Sequence, residues 1–86
     1  MILEDYRKRI DKVDDELLRL MNLRAQIVTE IERMKQESDL SLEDAEREKL
    51  ILDRVDARNP GPLHRLAVRN IFYQLITECK FGRITI

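Results

Sequence analysis

The sequence predicts an all-α fold of three helices, a long first helix followed by two shorter ones. Gly and Pro number only two each in 86 residues, which excludes a turn-rich β fold. Apolar residues recur at alternating spacings of four and three, the pattern of helices that pack on other helices. The length fits one small domain, predicted to span residues 1–86, whether whole or as a piece of a longer protein.

The first predicted helix runs from about Leu3 to Lys35 and carries one continuous stripe. The stripe consists of Tyr6, Ile10, Val13, Leu17, Leu20, Arg24, Ile27, Ile31 and Met34. At 1.5 Å per residue this helix is about 50 Å long, whereas a compact domain of this length has a diameter of roughly 30 Å. The simplest way to bury the overhanging apolar stripe is to pack a second chain against it, so we predict a C2 dimer.

The second predicted helix follows the polar break at 36–39. Ser41 is its predicted N-cap, and Asp44 stands three residues further on in a weak form of the capping box. The helix is expected to run to about Arg58.

The third predicted helix follows the break at 59–62. It is expected to begin near Pro62, a favourable first helical residue, and to end near Gly82. His64, near its start, is expected to be a surface residue without a role.

Charge and cysteine counts exclude several classes of function. Lys and Arg number 16 against 17 Asp and Glu, so the chain lacks the basic excess of a nucleic-acid-binding domain. One cysteine, Cys79, and one histidine exclude a disulfide framework and a His or Cys metal cluster, and no cofactor or metal is predicted. No signal peptide or long apolar run is recognisable, which predicts a cytoplasmic protein without membrane contact.

Cations interrupt the apolar face of the first helix. Arg24 belongs to the stripe, and Lys35 lies three turns further on and shares its face. Their Cα atoms are expected about 16 Å apart along the axis, so the two side chains could clasp a small anion above Val28 and Ile31. A buried cation needs a compensating group, and an anionic ligand would supply it.

The other predicted helices also carry polar groups on inward faces. These are Asp44, Arg47 and Glu48 in the second helix, and Cys79 and Arg83 in the third. A bundle interior lined in this way fits a small, multiply anionic, partly apolar ligand. Arg7 is about 25 Å from Arg24 along the first helix, so it could reach the same ligand only from a partner chain.

Each of these residues also has an ordinary structural explanation. Arg24 could pair with Glu30 or with Asp14 of a partner helix, and Lys35 could be a solvated charge near a helix C-terminus. The polar cluster of the second helix could be an exposed ion-pair patch. Cys79 could be a small core residue. The number of polar groups on one interior favours a binding site.

Five short motifs recur in a characteristic order along the chain. They are YRKRIDKVDDELL at 6–18, Leu23-Arg24, Met34-Lys35, DAERE at 44–48 and IFYQLI at 71–76. In order and spacing they resemble the all-helical chorismate mutases of the AroQ class, over nearly the whole chain. The resemblance implies an intertwined homodimeric helical bundle that rearranges chorismate to prephenate in phenylalanine and tyrosine biosynthesis, an isomerase of the shikimate pathway.

The resemblance also implies roles for the candidate residues. The partner's Arg7, with Arg24 and Arg47, would hold the carboxylates of chorismate. Lys35 would donate to the ether oxygen, and Glu48 would accept from the ring hydroxyl. Asp44 would support that hydroxyl, and Cys79 would lie near a carboxylate.

Arg83 departs from the family pattern, which has Gln or Glu at this position. Bond cleavage builds negative charge on the ether oxygen, so a cation there would be stabilising. Alternatively, the helix frays at Gly82 and Arg83 points to solvent, which would leave Lys35 to act alone.

Two other functions remain compatible with the sequence. An isochorismate-pyruvate lyase would use the same fold and the same cationic pocket, and its products would distinguish it. A non-catalytic metabolite-binding or dimerisation domain would tolerate Arg24→Ala, whereas the enzyme would lose turnover. The chain could also be one domain of a bifunctional dehydratase, dehydrogenase or synthase.

Overall fold

The chain forms three α-helices in its computed structural model, which describes residues 2–37 and 45–80 apart from the side chains of 35–37. The helices are α1 (Leu3–Glu37), α2 (Ala45–Arg58) and α3 (Arg65–Glu78). The predicted all-α class with a long first helix is therefore confirmed, although α1 ends two residues later than expected. The predicted N-cap Ser41 lies outside the described residues.

The long helix makes the molecule elongated. Its principal extents are 57 × 29 × 15 Å and its radius of gyration is 16.0 Å, against about 12 Å for a compact domain of this length. No Gly or Pro interrupts α1, and the negative charges of Glu4 and Asp5 in its first turn stabilise it. They do so because they interact favourably with the positive end of the helix dipole. The apolar members of the stripe are 45% to 64% exposed, so one chain alone leaves the stripe uncovered.

The two shorter helices pack against each other as an antiparallel hairpin. Arg69 of α3 pairs with both Asp53 and Asp56 of α2, while Arg65 lies 3.5 Å from Asp56. At the opposite end, Glu48 near the start of α2 meets Lys80 just beyond α3. These pairs fix the antiparallel direction and bring the start of α2 beside the end of α3.

The connection between α2 and α3 is a turn organised by Asn59. Its side-chain amide donates to the Leu63 carbonyl at 2.9 Å, and its side-chain oxygen accepts from the Gly61 backbone N–H at 3.0 Å. Gly61 has φ +77°, a left-handed conformation that favours glycine.

Both predicted ends of the third helix are wrong by several residues. The helix begins at Arg65 rather than Pro62, because Pro62 lies within the Asn59 turn. His64 is the N-cap and accepts from the Leu66 N–H at 3.1 Å, so it has a structural role that the sequence analysis missed. The helix ends at Glu78, before Gly82, because the N–H groups of Cys79 and Lys80 turn back to the carbonyls of Ile76 and Thr77, respectively.

Only Ile76 and Cys79 are buried among the described residues. Both belong to the end of α3, close to where α1 crosses the hairpin. None of the described helices is both long and apolar enough to cross a membrane.

Candidate functional site

A cavity of about 280 Å³ lies where α1 crosses the open end of the hairpin. We call it the inter-helix cavity. Its lining residues are Arg24, Ile27, Val28, Ile31 and Glu32 from α1, Arg47, Glu48 and Ile51 from α2, and Ile76, Cys79 and Lys80 from α3 and the residues after it. The structure thus brings together four of the predicted site residues, Arg24, Arg47, Glu48 and Cys79.

Branched aliphatic side chains form the floor of this cavity. Val28 and Ile31 of α1 take the predicted positions, and Ile51 and Ile76 come from the hairpin. The α1 residues follow Arg24 at helical spacings of three and four, which places them on one face. An apolar floor lowers the local dielectric constant and strengthens the interaction of nearby charges with a ligand.

Arg24 reaches across the cavity to α3. Its Nη1 atom lies 3.7 Å from the Sγ atom of Cys79, and Cys79 is 9% exposed. Glu30, one of the two acids considered as a partner for Arg24, pairs with Arg33 on its own helix. A thiol is a weak acceptor and carries no opposing charge, so this contact orients the guanidinium without neutralising it.

Glu48 is held on the cavity wall by a lysine. Its Oε1 atom lies 2.7 Å from Nζ of Lys80, and the two side chains are 24% and 29% exposed. Partial burial on both sides excludes much of the solvent that weakens surface ion pairs. The carboxylate therefore has a defined position beside the arginines.

Positive charge predominates on the described wall of the cavity. Its cations are Arg24, Arg47 and Lys80, and its acids are Glu32 and Glu48. A negatively charged ligand is the electrostatic complement of such a wall.

Among the remaining predicted site residues, Arg7 is the one whose side chain the structure describes, and it does not join this group. Arg7 is exposed near the start of α1, where its guanidinium is 3.9 Å from Glu4. Lys35 lies near the end of α1, but its side chain is outside the described part of the chain, as are Asp44 and Arg83. That Arg7 reaches the ligand only from a partner chain stays a prediction.

A second cavity, of about 560 Å³, adjoins the first along the hairpin. We call it the hairpin groove. It shares Arg24, Arg47 and Ile51 with the inter-helix cavity and adds Arg54, Val55, Arg58, Asn59, Pro60, Leu63, Val68 and Phe72. An apolar surface bordered by arginines therefore continues away from the smaller cavity.

Shifted pKa values occur outside both cavities. The hydrogen bond from Lys49 lowers the pKa of Asp53 on α2, and the positive charge of Arg69 adds to this effect. The hydrogen bond from Arg19 likewise lowers the pKa of Glu16 on α1. These groups support the scaffold rather than the cavity.

Two lining residues with charged side chains were missed by the sequence analysis. Lys80 follows the last turn of α3, where helical periodicity no longer assigns a face, so only its adjacency to Cys79 pointed to the site. Glu32 lies one turn after Val28 on α1, a spacing that could have revealed it. In the part of the chain that the structure describes, no three His, Cys, Asp or Glu side chains group as metal ligands.

Comparison with protein families and curated proteins gives consistent matches. A family model described as "Chorismate mutase type II" matches residues 6–81. The bifunctional chorismate mutase/prephenate dehydratase of Aquifex aeolicus is 32% identical over 81 residues, which cover 90% of this chain and 22% of that protein. The chorismate mutase of Methanocaldococcus jannaschii is 34% identical over 53 residues, 62% of this chain and 54% of that one. The chain thus spans about a fifth of the bifunctional relative.

Solved structures resemble the fold as a whole. Chorismate mutase from Thermus thermophilus in its form I superimposes with a TM-score of 0.90 at 33% identity, covering 92% of this chain and 99% of that chain. Its form II gives a TM-score of 0.89. The likeness therefore includes all three helices and their arrangement.

Proposed function

Because the chain belongs to the chorismate mutase type II family, we propose that it rearranges chorismate to prephenate in the inter-helix cavity. The observation that carries this proposal is the convergence of Arg24, Arg47 and Glu48 on one aliphatic floor. The two cations complement a dicarboxylate, and the acid offers an acceptor to a hydroxyl group. The cytoplasm stays the predicted compartment.

The proposed reaction makes few chemical demands on the protein. It is intramolecular, with one C–O bond broken and one C–C bond formed within the substrate, so no nucleophile is needed. The protein contributes by holding the extended dianion in a compact chair and by stabilising charge that develops on the ether oxygen. Fixed cations on an apolar floor act more strongly than they would in water.

Each residue takes the role that the resemblance implies. Arg24 and Arg47 bind carboxylates, and Glu48 accepts a hydrogen bond from the ring hydroxyl. Lys35 donates to the ether oxygen. Arg83, which departs from the family pattern, is proposed as a second, cationic donor to the same oxygen. Asp44 supports the hydroxyl, and Cys79 lines the wall near a carboxylate, where it also orients Arg24.

The proposed active unit is an intertwined homodimer in which each cavity receives Arg7 from the partner. The exposure of the α1 stripe supports this, because it leaves a long apolar surface for another helix. The hairpin groove supports it further, because its arginine border complements acids such as Asp11 and Asp14 of a second α1. The groove opens onto the inter-helix cavity, so a helix seated there would bring its Arg7 to the ligand.

The first test is to incubate the purified chain with chorismate and follow substrate and products by NMR. We expect prephenate to form far faster than in chorismate alone, with no free pyruvate. Incubation with isochorismate, followed by assay for pyruvate, tests the alternative lyase activity. If chorismate rearranged in the presence of the folded chain only at its spontaneous rate, the proposed function would be overturned.

A second test examines the shared site by mixing two inactive variants, Arg7→Ala and Arg24→Ala. In a heterodimer one cavity has both arginines and the other has neither. Random exchange should therefore restore about a quarter of the wild-type sites, since half of the dimers are mixed and each has one intact site. If Arg7 acted within its own chain, mixing would restore no activity. Two Arg24→Ala preparations, mixed in the same way, are the control.

A further inference from the structure

Lys80 is one of two charged residues of the inter-helix cavity, with Glu32, to which the proposed function gives no role. It lies two residues beyond α3, and its Nζ atom is 2.7 Å from the Glu48 carboxylate. We propose that Lys80 is a positioning residue that holds Glu48 in the orientation in which it accepts the ring hydroxyl of the substrate. This inference rests on the proposed function.

The backbone around Lys80 is fixed by the end of α3. The Cys79 N–H donates to the Ile76 carbonyl at 3.2 Å, and the Lys80 N–H donates to the Thr77 carbonyl at 3.1 Å. The lysine therefore leaves the helix in a defined direction, next to a buried residue. A side chain that starts from a fixed backbone loses less freedom when it forms an ion pair, so this pair orients its partner efficiently.

Glu48 needs such a partner because of its neighbours. A glutamate has several rotatable bonds, and it shares the cavity wall with Arg24 and Arg47. If it folded onto either arginine, it would offset the charge that is needed for the substrate carboxylates. Lys80 binds the Oε1 atom from the opposite helix end, which leaves the second carboxylate oxygen for a hydroxyl donor.

The ion pair also closes the hairpin next to the site. Glu48 belongs to the first turn of α2, whereas Lys80 follows α3. A purely structural lysine would hold these two ends together without affecting substrate binding. The two roles differ in what a substitution changes, and this difference decides the experiment.

The test is a double-mutant cycle with Lys80→Met and Glu48→Gln, measured with chorismate. We expect Lys80→Met to lower kcat/KM about tenfold, the size of effect typical for coupled residues in one network. Most of the loss should appear in KM, because the hydroxyl contact is made in the bound substrate as well as in the transition state. In the Glu48→Gln background, Lys80→Met should lower kcat/KM by less than about twofold.

Two further variants separate positioning from stability. Lys80→Arg keeps a cation opposite Glu48 and should recover kcat/KM to within about threefold of wild type. Lys49→Met removes a lysine whose ion pair with Asp53 has a similar distance, 2.8 Å, but is outside the cavity, and it should leave kcat/KM unchanged. Thermal unfolding of all variants confirms that each remains folded.

Four results would overturn the role of Lys80. Unchanged KM with a lowered melting temperature would make Lys80 purely structural. An equal loss in the wild-type and Glu48→Gln backgrounds would show that Lys80 acts on something other than Glu48. If the folded wild-type chain itself gave no prephenate, the proposed function would fail, and the role of Lys80 would fail with it. If the wild type were active and Lys80→Met had the kcat/KM of the wild type, only the role of Lys80 would be excluded.

Discussion

The guanidinium of Arg24 lies 3.7 Å from the thiol of Cys79, and this contact links α1 to the end of α3 across the inter-helix cavity. The two residues are far apart in the sequence, so the contact exists only when the helices are assembled. It directs the arginine toward the cavity without supplying an opposing charge. Arg24 is therefore the residue whose loss should separate activity from folding most clearly.

Arg24→Ala should lower kcat/KM by at least about thirtyfold while the chain remains folded. Truncating a charge that contacts a buried ionic group typically costs about 2–5 kcal/mol. Steady-state kinetics with chorismate and circular dichroism measure the two properties. Arg19→Ala is the matched control, because Arg19 is on the same helix and pairs with Glu16 in solvent. Comparable losses in both variants would argue against a site at Arg24.

Cys79 should tolerate a small polar substitute and reject a large one. Cys79→Ser retains the volume and an acceptor for Arg24, so turnover should stay within about fivefold of wild type, equivalent to roughly 1 kcal/mol. Cys79→Phe places a ring in a cavity of about 280 Å³ and should raise KM by more than tenfold, an expectation of about 1.4 kcal/mol or more. Full activity of the Phe variant would place the ligand elsewhere.

Leu17→Glu should dissociate the proposed dimer. Leu17 is on the α1 stripe and is 50% exposed in one chain, and a charge buried there against another helix is costly. Sedimentation equilibrium should give a mass near twice 10.3 kDa for the wild type and near one chain for the variant, which should also lose turnover. Gln26→Glu adds the same charge on the opposite face of α1 and should change neither. A dimeric, active Leu17→Glu variant would contradict the shared-site arrangement.

Asp53 should make part of the stability depend on pH. Lys49, with help from Arg69, lowers the pKa of this carboxyl in the folded chain. A group with a lowered folded pKa stabilises the fold above its unfolded pKa, and that contribution disappears as the pH falls through the folded value. The gap in denaturation midpoint between wild type and Asp53→Asn should therefore be largest near neutral pH and should narrow below about pH 4. If the difference in denaturation midpoint were the same near neutral pH and below about pH 4, the lowered pKa of Asp53 would not contribute to stability.

Local periodicity explains why most of the fold was predictable. The three helices, and the common face of Arg24, Val28 and Ile31, follow from spacings that hold wherever a helix is regular. Arg47 and Glu48 were placed on the cavity for the same reason. The class of fold and the central part of the candidate site therefore required no tertiary information.

The ends of α3 needed information that spacing does not contain. The helix begins at Arg65 rather than at Pro62 because the hydrogen bonds of the Asn59 side chain hold the residues up to Leu63 in a turn. His64, whose backbone is extended, then caps the helix. The helix also stops before Gly82, so Lys80 leaves the regular pattern and meets Glu48 through the geometry of the turn. Residues beyond the end of a helix are those that a helical wheel cannot assign.

The uncovered stripe of α1 links the order of folding to protein concentration. The hairpin of α2 and α3 joins segments that are close in the chain, and such local closure is fast at any dilution. The N-terminal half of α1 is held by contacts within the helix, such as Arg19 with Glu16, and isolated helices are only marginally stable in water. In the proposed dimer, the stiffening of α1 is a bimolecular event. A newly synthesised chain at low abundance then has a folded α2–α3 hairpin and an α1 that frays at its N-terminal half. It completes folding only when it meets a second copy.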